Sequence, residues 1–446
     1  MSSGETDVVI VGAGLAGLSA ALKLKEQNRS FIVLEARHRS GGRIHTIKTE
    51  EQIAIDLGAQ WVSPYHKRVK QLVTKYGLRL TPTYRTGNTI YDFNGVIEKK
   101  TGSWPLSLIE ALDALKLKMR MNILSKQLSK DCPWKTELAQ ELDKKTVEQF
   151  IIEHGSTNKA KQLFQLLLEE VLCSKLYEVS TLDLLWCIAA AGSIDRLLTA
   201  EDYWIEEGAG TLTKRIADSL EGQIQFNQQV QSIEYDADGV FVHTYNQNWR
   251  AKKVVLAVPP NLVTRIQFSP PLLADRAQLN ERAGMPSVIK LIFTYGKPFW
   301  REQGYNGTVY SNQGPVKLTL DSSPTDMSKG VLTTFITGEF ARKLGRLSVE
   351  SRINQIKNQL RRYFGQLVMS PCQVFEKDWS DDEWTRGGYG IHFPIGVISQ
   401  LGPSLRNPIG PIHWAGTELA SEWRMYMEGA IQSGERAAMD VVELLK

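Results

Sequence analysis

The chain has 446 residues, of which 42% are hydrophobic and 23% are charged, and its formal net charge is +4. This length predicts more than one domain, and the composition is that of an ordinary globular protein. The small net charge and dispersed basic residues do not favour a nucleic-acid partner. Apolar runs fall short of the roughly 18 residues that a membrane span requires, so no membrane partner is predicted.

The cysteines and histidines have no metal-ligand spacing. Cys132, Cys173, Cys187 and Cys372 form no C-x-x-C pair, and the histidines form no H-x-H or H-E-x-x-H motif. Neither a metal nor a disulfide framework is therefore predicted. Residues 1–7 contain no basic-then-apolar signal region, and together with reduced thiols this predicts a cytoplasmic protein.

The amino-terminal segment predicts a dinucleotide site. Residues 8–11 form a short run rich in β-branched side chains, which is typical of a strand buried on both faces. Gly12, Gly14 and Gly17 follow with G-x-G-x-x-G spacing, and residues 18–25 are predicted to be helical. In this motif the first glycine makes a tight turn, the second admits a pyrophosphate, and the third lets the helix pack on the strand.

Three features after this helix extend the predicted site. Glu35 ends a second apolar run about 20 residues after the glycines, the spacing of the acid that binds the adenosine ribose. Gly41, Gly42 and Arg43 would bring amide groups and a guanidinium towards a phosphate, or form a simple turn with a solvated arginine. Residues 53–62 are predicted as a strand that ends in a small-residue corner suited to a flat ring.

The next region changes in character from about Thr81. A hairpin is predicted over residues 89–96 around Asn94 and Gly95. Helix-period apolar spacing follows over residues 106–130 and 146–172, and a buried helix over 182–191 closed by Gly192. This helical region is predicted to be an insertion that caps a site.

An α/β pattern returns near Ile205. The predicted elements are a helix opening near Ala209, strands over 224–226, 230–235 and 253–258, strands of a second sheet over 287–300, 316–320 and 331–338, a helix over 347–364 and a strand over 375–379. Interleaving of the two patterns predicts an α/β fold with a Rossmann-like domain and an α+β domain carrying a mixed sheet.

The carboxyl-terminal segment predicts the second half of the dinucleotide site. Residues 412–418 read as a strand ending in a small-residue turn, and residues 426–431 open the last helix, which runs to about Leu445. The start of that helix could stabilise negative charge on a reduced isoalloxazine ring, or it could be a packing helix with a glycine-rich start.

At this point the sequence resembles the flavin-containing monoamine oxidase family, over almost its whole length. The motifs that carry the resemblance are Gly12-Ala-Gly14-Leu-Ala-Gly17, Leu34-Glu35-Ala36-Arg37, Gly41-Gly42-Arg43, Ser287-Val-Ile-Lys290, Lys297-Pro-Phe-Trp300-Arg301, Gly387, Tyr389, Phe393-Pro394, Ala415-Gly-Thr-Glu418 and Tyr426-Met-Glu-Gly-Ala430.

The resemblance implies FAD as the cofactor and a fold of the two-dinucleotide-binding-domain type. The implied FAD-binding domain comprises residues 1–80, 205–284 and 386–446, and the substrate domain comprises 81–204 and 285–385. The residues expected to contact FAD are Gly12, Gly14, Leu15, Ala16, Gly17, Glu35, Ala36, Arg37, Gly42, Arg43, Gly58, Ala59, Gln60, Trp61, Val230, Trp379, Gly416, Glu418, Tyr426 and Met427.

The resemblance also implies three catalytic residues. Lys290 matches the lysine that reaches flavin N5 through a water, although a strand lysine could simply point to solvent. Tyr389 and Tyr426 match an aromatic cage that would guide the amine to the flavin. Without the resemblance the tyrosines would be ordinary core residues.

The sequence departs from the mitochondrial members of that family in three places. Gly388 occupies the position of the cysteine that carries their flavin, so FAD is expected to be non-covalent. The chain stops at Lys446, where those enzymes continue into a membrane tail, so a soluble protein is expected. Residues 191–204 form a shorter segment than its counterpart, so the gating residues of the pocket are not transferred.

The expected activity is oxidation of a primary or secondary amine, with hydride transfer from the α-carbon to flavin N5. The imine then hydrolyses to an aldehyde, and dioxygen is reduced to hydrogen peroxide. An L-amino acid oxidase is less favoured, because Trp61 stands where those enzymes carry a carboxylate-binding arginine. A polyamine oxidase and a flavoprotein without oxidase activity, such as an isomerase, a desaturase or a scaffold, stay open. The sequence does not name the amine or the oligomeric state, for which a homodimer is one option.

Overall fold

The computed structural model describes residues 3–446, so Met1 and Ser2, which open the predicted first domain and the predicted signal-free terminus, lie outside the described residues. The strands are β1 Ser3–Val11, β2 Phe31–Leu34, β3 Thr46–Lys48, β4 Ala54–Asp56, β5 Trp61–Val62, β6 Leu80–Pro82, β7 Asn88–Phe93, β8 Val96–Lys100, β9 Tyr203–Ile205, β10 Ile224–Gln225, β11 Val230–Tyr235, β12 Val240–Thr244, β13 Asn248–Leu256, β14 Gln267–Ser269, β15 Val288–Tyr295, β16 Tyr305–Ser311, β17 Leu318–Asp321, β18 Gly330–Thr337, β19 Gln373–Asp378 and β20 Ile412–Trp414.

The helices cover the sheets and form most of the region between β8 and β9. They are α1 Leu15–Glu26, α2 Lys67–Lys75, α3 Leu108–Lys126, α4 Ala139–Leu142, α5 Val147–His154, α6 Asn158–Leu172, α7 Thr181–Ala191, α8 Ile194–Leu198, α9 Ala209–Asp218, α10 Pro260–Val263, α11 Ala274–Glu281, α12 Phe299–Glu302, α13 Gly338–Leu344, α14 Val349–Phe364, α15 Ile398–Leu401, α16 Pro403–Arg406 and α17 Met427–Leu444.

The larger sheet has the order β10-β2-β1-β13-β12-β11-β14, with β20 also paired to β13. Its centre is parallel, because β1 pairs in parallel with β2 and β13, and β13 pairs in parallel with β20. Val8, Val9 and Ile10 are fully buried there, as their β-branched run predicts. The carboxyl ends of these parallel strands therefore meet at one edge of the sheet, where ligands bind in α/β folds.

The second sheet has the order β19-β15-β18-β17-β16-β7-β8 and is mixed, since β16 pairs with β7 in parallel and the other neighbours are antiparallel. Every residue of β15 and β18 is buried. The predicted α/β fold class, with one Rossmann-like sheet and one mixed sheet, is confirmed.

The first and last helices pack against each other. A Cβ on Gly434 of α17 would lie 2.1 Å from the carbonyl oxygen of Ala16 in α1, so a side chain has no room at this crossing. The close approach places the start of α17 beside the glycine loop, although the two segments are far apart in sequence.

The hairpin with Asn94 and Gly95 at its turn and the buried helix closed by Gly192 are both confirmed. The helix-period spacing over residues 146–172 corresponds to two helices, α5 and α6, with a short break between them. The Asp113 carboxylate accepts hydrogen bonds from the amide groups of Ser156 and Thr157, which separates α5 from α6.

Two strand predictions in the second sheet also differ from the structure. The strand predicted over residues 287–300 ends at Tyr295, and Phe299 and Trp300 begin the short helix α12 after Pro298. Strand β16 was not predicted, since Asn306 and Gly307 interrupt its apolar pattern. Within the part of the chain that the structure describes, no helix is both long and apolar enough to cross a membrane.

Candidate active site

A cavity of about 300 Å³ is lined by loops from both sheets and by residues of the helical region between β8 and β9. Its lining includes the glycine loop after β1, the corner after β4, Lys290 of β15, and both Tyr389 and Tyr426. Of the predicted site residues, all but Gly17 and Glu418 line this cavity. The structure thus brings together residues drawn from both ends of the chain.

The glycine loop is shaped by close backbone contacts. Gly12 has a φ of 102°, and its amide donates to the carbonyl of Leu34 at 2.8 Å. A Cβ on Gly17 would lie 1.9 Å from the carbonyl oxygen of Gly12, so Gly17 lies under the loop where α1 packs on β1. A Cβ on Gly14 would meet nothing within 4 Å, so open space remains beside that residue.

Glu35 is held in place at the end of β2. Its side chain is buried, and the carboxylate accepts hydrogen bonds from the amide of Ala13 at 2.7 Å and from the amide of Arg37 at 2.9 Å. The guanidinium of Arg37 pairs with Asp382. The carboxylate is therefore fixed next to the glycine loop, as a ribose-binding acid requires.

The residues at this end fit the ADP half of FAD. Helix α1 starts without a side-chain cap, so its first amide groups keep their capacity to bind a phosphate. Leu15 and Ala16 of this first turn line the cavity together with Gly14 and Gly42. The free space at Gly14 is where a pyrophosphate would approach the backbone.

Lys290 is buried and does not point to solvent. Its Nζ donates to the carbonyl oxygens of Asp56 at 2.6 Å and Gly58 at 3.0 Å, and to Oε1 of Gln60 at 3.1 Å. Burial lowers the pKa of Lys290 to about 7, although the Asp56 carboxylate opposes this effect. Burial likewise raises the pKa of Asp56 to about 6. The lysine ties the corner after β4 to the second sheet.

The same corner is held from two further directions. A Cβ on Gly58 would lie 2.1 Å from the carbonyl oxygen of Arg43, so only glycine fits there. The indole of Trp379 donates to the carbonyl of Leu57 at 2.9 Å. Gly58, Trp61 and Trp379 thus form a fixed, cavity-lining wall suited to a flat ring.

Arg43 joins this wall to the turn after β20. Its Nη1 donates to the carbonyl oxygen of Tyr389 at 2.8 Å and to the Glu418 carboxylate at 2.6 Å. Burial would raise the pKa of Glu418, but the Arg43 guanidinium outweighs it and the pKa is lowered. Glu418 therefore acts on the cavity through Arg43 and does not line it.

The two predicted cage tyrosines both open onto the cavity. Tyr389 has 39% of its surface accessible, and its ring packs edge-on against Phe335 at 6.0 Å. Tyr426 donates from its hydroxyl to the carbonyl of Leu197 at 3.1 Å and packs edge-on against Trp423 at 5.3 Å. Both tyrosines line the cavity, and burial of their hydroxyl groups raises both pKa values well above the usual value.

The start of α17 is anchored on both sides of Tyr426. Thr417 donates from Oγ1 to the carbonyl of Tyr426 at 2.8 Å. The Glu428 carboxylate accepts from the amides of Arg68 and Val69, both at 3.0 Å, and so caps the first turn of α2. Met427, the first residue of α17, lines the cavity.

A buried polar cluster lies behind the tyrosines. Candidate ligand atoms of Asp183, Cys187 and His392 lie within 4.8 Å of one another. The guanidinium of Arg424, however, pairs with Asp183 at 2.8 Å and donates to Cys187 at 3.1 Å. The Arg424 guanidinium therefore occupies the place that a metal ion would take, and the cluster is an ion-pair network.

Sequence reasoning missed several cavity residues, among them Glu170, Glu201 and Phe335. Phe335 lies in a predicted strand, but its face was not assigned. Glu170 follows Glu169 in a helix-period segment, where paired acids usually mark a solvated face. Glu170 and Phe335 reach the cavity through the packing of α6 against β18, and Glu201 reaches it from the connection between α8 and β9; no local pattern indicates either arrangement.

Comparison with known proteins agrees with this geometry. Residues 15–442 match the protein family described as flavin containing amine oxidoreductase. The chain is 34% identical to the flavin-containing amine oxidase B of Canis lupus familiaris, covering 99% of this chain and 87% of that protein. It is also 34% identical to a flavin-containing amine oxidase of Oncorhynchus mykiss, covering 98% and 85%.

Two solved structures resemble the chain closely. A putrescine oxidase, wild type and bound to putrescine, superposes with a TM-score of 0.95 at 31% identity, covering 99% of this chain and 100% of that one. The cyclohexylamine oxidase of Brevibacterium oxydans has a TM-score of 0.94 at 30% identity, covering 99% of each chain.

Proposed function

Since the chain belongs to the flavin-containing amine oxidoreductase family, we propose that an amine is oxidised in the cavity in front of Tyr389 and Tyr426. The protein is an FAD-dependent amine oxidase that uses dioxygen. When bound, FAD supplies the two-electron chemistry that converts an amine to an imine and dioxygen to hydrogen peroxide. The observation that carries the proposal is the single cavity shared by the glycine loop, Lys290 and both tyrosines.

The ADP half of FAD is proposed to bind at the glycine loop. Gly12 and Gly14 admit the pyrophosphate, the first turn of α1 donates its amides, and Glu35 accepts from the ribose. Gly17 keeps α1 against β1. These roles use the free space and the fixed carboxylate described above.

The ring half is proposed to lie against Gly58, Trp61 and Trp379. Arg43 holds the backbone of Tyr389, and Lys290 fixes the corner on which the ring rests. The remaining contacts proposed for the cofactor, supported by their place in the cavity lining, are Leu15, Ala16, Ala36, Arg37, Gly42, Ala59, Gln60, Val230, Gly416 and Met427, with Glu418 acting through Arg43.

Tyr389 and Tyr426 are proposed to orient the amine. Their side chains open onto the same cavity, and their hydroxyl groups remain protonated because burial raises both pKa values. A neutral amine between aromatic faces has its α-carbon presented to the ring. Phe335 and Leu197 complete an apolar surround that excludes water from the reacting carbon.

The substrate is proposed to be a small primary or secondary amine. Two structural neighbours are named for putrescine and cyclohexylamine, which are both small aliphatic amines. An L-amino acid is disfavoured, because Trp61 occupies the corner and the cavity lining includes two acidic residues, Glu170 and Glu201. A polyamine stays the alternative.

FAD is proposed to be bound without a covalent link, because Gly388 lines the cavity beside Tyr389 and offers no thiol. We further propose the division into domains given above, which is supported by the segregation of β1, β2, β10–β14 and β20 into one sheet and of β7, β8 and β15–β19 into another. A homodimer and a cytoplasmic location stay predictions; sedimentation of the purified protein and imaging of the tagged chain test them.

The central experiment is aerobic turnover by the purified yellow protein. Acid precipitation is expected to release the flavin into the supernatant, and small aliphatic amines are expected to produce hydrogen peroxide. Absence of peroxide across primary amines, secondary amines and amino acids would overturn the activity in favour of a flavoprotein without oxidase function. Flavin that stays with the precipitate would overturn only the non-covalent proposal.

A further inference from the structure

Two acidic side chains reach the substrate end of the cavity. Glu170 of α6 is 7% exposed, and its Oε1 accepts a hydrogen bond from Thr337 at 2.9 Å. Its Oε2 is buried without a hydrogen-bond partner. Glu201, at the end of the helical region, lines the same cavity.

Both carboxyl groups lie near the proposed amine-binding tyrosines. Thr337, the partner of Glu170, is on β18 two residues after Phe335, whose ring packs against Tyr389. The charges of Glu170 and Glu201 both contribute to the raised pKa of Tyr389, after burial. The charge of Glu201 also contributes to the raised pKa of Tyr426.

The neighbouring cations have other partners. Lys317 and Lys175 both pair with Glu169, the residue before Glu170 on α6. Lys317 still lowers the pKa of Glu170 through its charge, but burial dominates and raises that pKa to about 7. The Oε2 atom of Glu170 is therefore free to accept a hydrogen bond from one further cation.

The cations around Glu201 are similarly engaged. Arg85 donates to the backbone carbonyl of Glu201 at 3.1 Å and lies 4.0 Å from the Asp202 carboxylate. Burial raises the pKa of Glu201 to about 7, and Arg85 opposes that effect only in part. Arg424, which also lines the cavity, is paired with Asp183.

We infer that the substrate is a diamine whose second ammonium group is bound by Glu170 and Glu201 while the first is oxidised between Tyr389 and Tyr426. This inference rests on the proposed function and deepens it. A buried carboxylate oxygen without a partner is unfavourable, and an ammonium group that donates to it removes this penalty. A monoamine of the same length leaves Oε2 of Glu170 without a partner, and a substrate carboxylate would be repelled by both acids.

The test compares diamines with monoamines of equal chain length on the holoenzyme. Diaminobutane and diaminohexane are measured against butylamine and hexylamine by oxygen consumption. The wild-type enzyme is expected to favour one diamine over its monoamine by about tenfold or more in kcat/KM, as a charge-assisted hydrogen bond implies. Equal or better turnover of both monoamines would overturn the inference without touching the amine oxidase activity.

Two variants locate the effect. Glu170→Gln and Glu201→Gln are each expected to raise KM for the preferred diamine by about tenfold while changing the monoamine by less than about twofold. Glu141→Gln, which removes an exposed acid of α4 outside the cavity, is the matched control and is expected to change neither.

The flavin spectrum separates the possible failures. Variants that keep the bound-flavin absorbance but lose both amines equally would show that the acids are structural, and this would overturn the inference. If no amine reduces the flavin of the wild-type enzyme, the proposed function fails first. If butylamine and hexylamine reduce it as well as the diamines, only the diamine inference fails.

Discussion

At the scale of single residues, two glycines of one motif have opposite surroundings. A Cβ added to Gly14 would point into open space, whereas one added to Gly17 would collide with the Gly12 carbonyl oxygen. Gly14→Ala is therefore expected to fold normally but to place a methyl group where the pyrophosphate is proposed to bind, weakening FAD affinity about tenfold or more. Gly17→Ala is expected to destabilise the fold by about 1–3 kcal/mol, as overpacking does.

The two variants control for each other. Titration of the apo-proteins with FAD gives the affinity, and thermal unfolding without FAD gives the stability. If Gly14→Ala unfolds at a lower temperature but binds FAD normally, the loop is a structural turn and the assigned cofactor site is wrong.

Lys290 is predicted to contribute both to the stability of the fold and to the rate of the reaction. Lys290→Met removes the donor for two backbone carbonyls and the Gln60 amide oxygen, so a loss of about 2 kcal/mol or more in unfolding free energy is expected. Flavin reduction or reoxidation is also expected to slow while FAD stays bound. Rapid-mixing absorbance of each half-reaction measures this, and normal rates in both would leave the lysine with a structural role alone.

Part of the predicted site is local in sequence and lines the cavity as a unit. Gly12, Gly14 and Glu35 belong to a strand-turn-helix-strand unit, so their spacing alone indicates their neighbours. Glu170 had no such signal, because an acid on a helix is ordinarily solvated, and Glu201 lies in the connection between α8 and β9, where no motif marks it. Only the packing of α6 against Thr337 of β18 shows that Glu170 is buried in the cavity.

At the scale of elements, α17 caps the start of α2 through the side chain of Glu428. Helix α2 starts at Lys67, and His66 before it provides no side-chain cap. The Glu428 carboxylate of α17 instead accepts hydrogen bonds from the amides of Arg68 and Val69 in the first turn of α2. Glu428→Ala is expected to lower the unfolding free energy by about 2 kcal/mol, since buried amides lose a charged acceptor. It is also expected to raise KM for amines, because Tyr426 lies just before α17.

Glu435 supplies a matched control on the same helix. It pairs with Arg68 at 3.0 Å, but its side chain is 39% exposed. Glu435→Ala is therefore expected to cost at most about 0.5 kcal/mol and to leave KM unchanged. Urea unfolding and steady-state kinetics of both variants decide the matter, and equal losses would mean that the cap on α2 is unimportant.

The elements themselves were predictable where a turn or cap lies in the sequence. The Asn94-Gly95 hairpin and the Gly192 stop are such cases. The break between α5 and α6 was missed because Asp113, which holds the amides of Ser156 and Thr157, is more than a helix away along the chain. Strand β16 forms despite its polar and glycine residues because β7 and β17 flank it.

At the scale of the whole molecule, buried histidines make stability depend on pH. Burial lowers the pKa of His66 to about 3 and that of His45 and His413 to about 4. The unfolded chain binds protons at these residues below about pH 6.5, whereas the folded chain does not, so stability falls as the pH falls. For His66 the loss between about pH 7 and pH 5 is about 2 kcal/mol.

The variant His66→Asn isolates one contribution. The histidine Nδ1 accepts from the Ser63 amide at 3.1 Å, and an asparagine oxygen can take over that bond. Urea unfolding at neutral and mildly acidic pH is expected to show a smaller acid-induced loss in the variant. The same loss in both proteins would mean that His66 is protonated in the folded state.

The contact between α1 and α17 has a consequence for how the protein is made. A ribosome releases α1 early, but its packing partner follows only after roughly 20–80 s of further synthesis. During that interval the apolar face of α1, which includes Leu15 and Leu18, lacks its final cover. The nascent chain therefore depends on other contacts or on chaperones until the last helix emerges, and a prematurely terminated chain would lack the second wall of the FAD site.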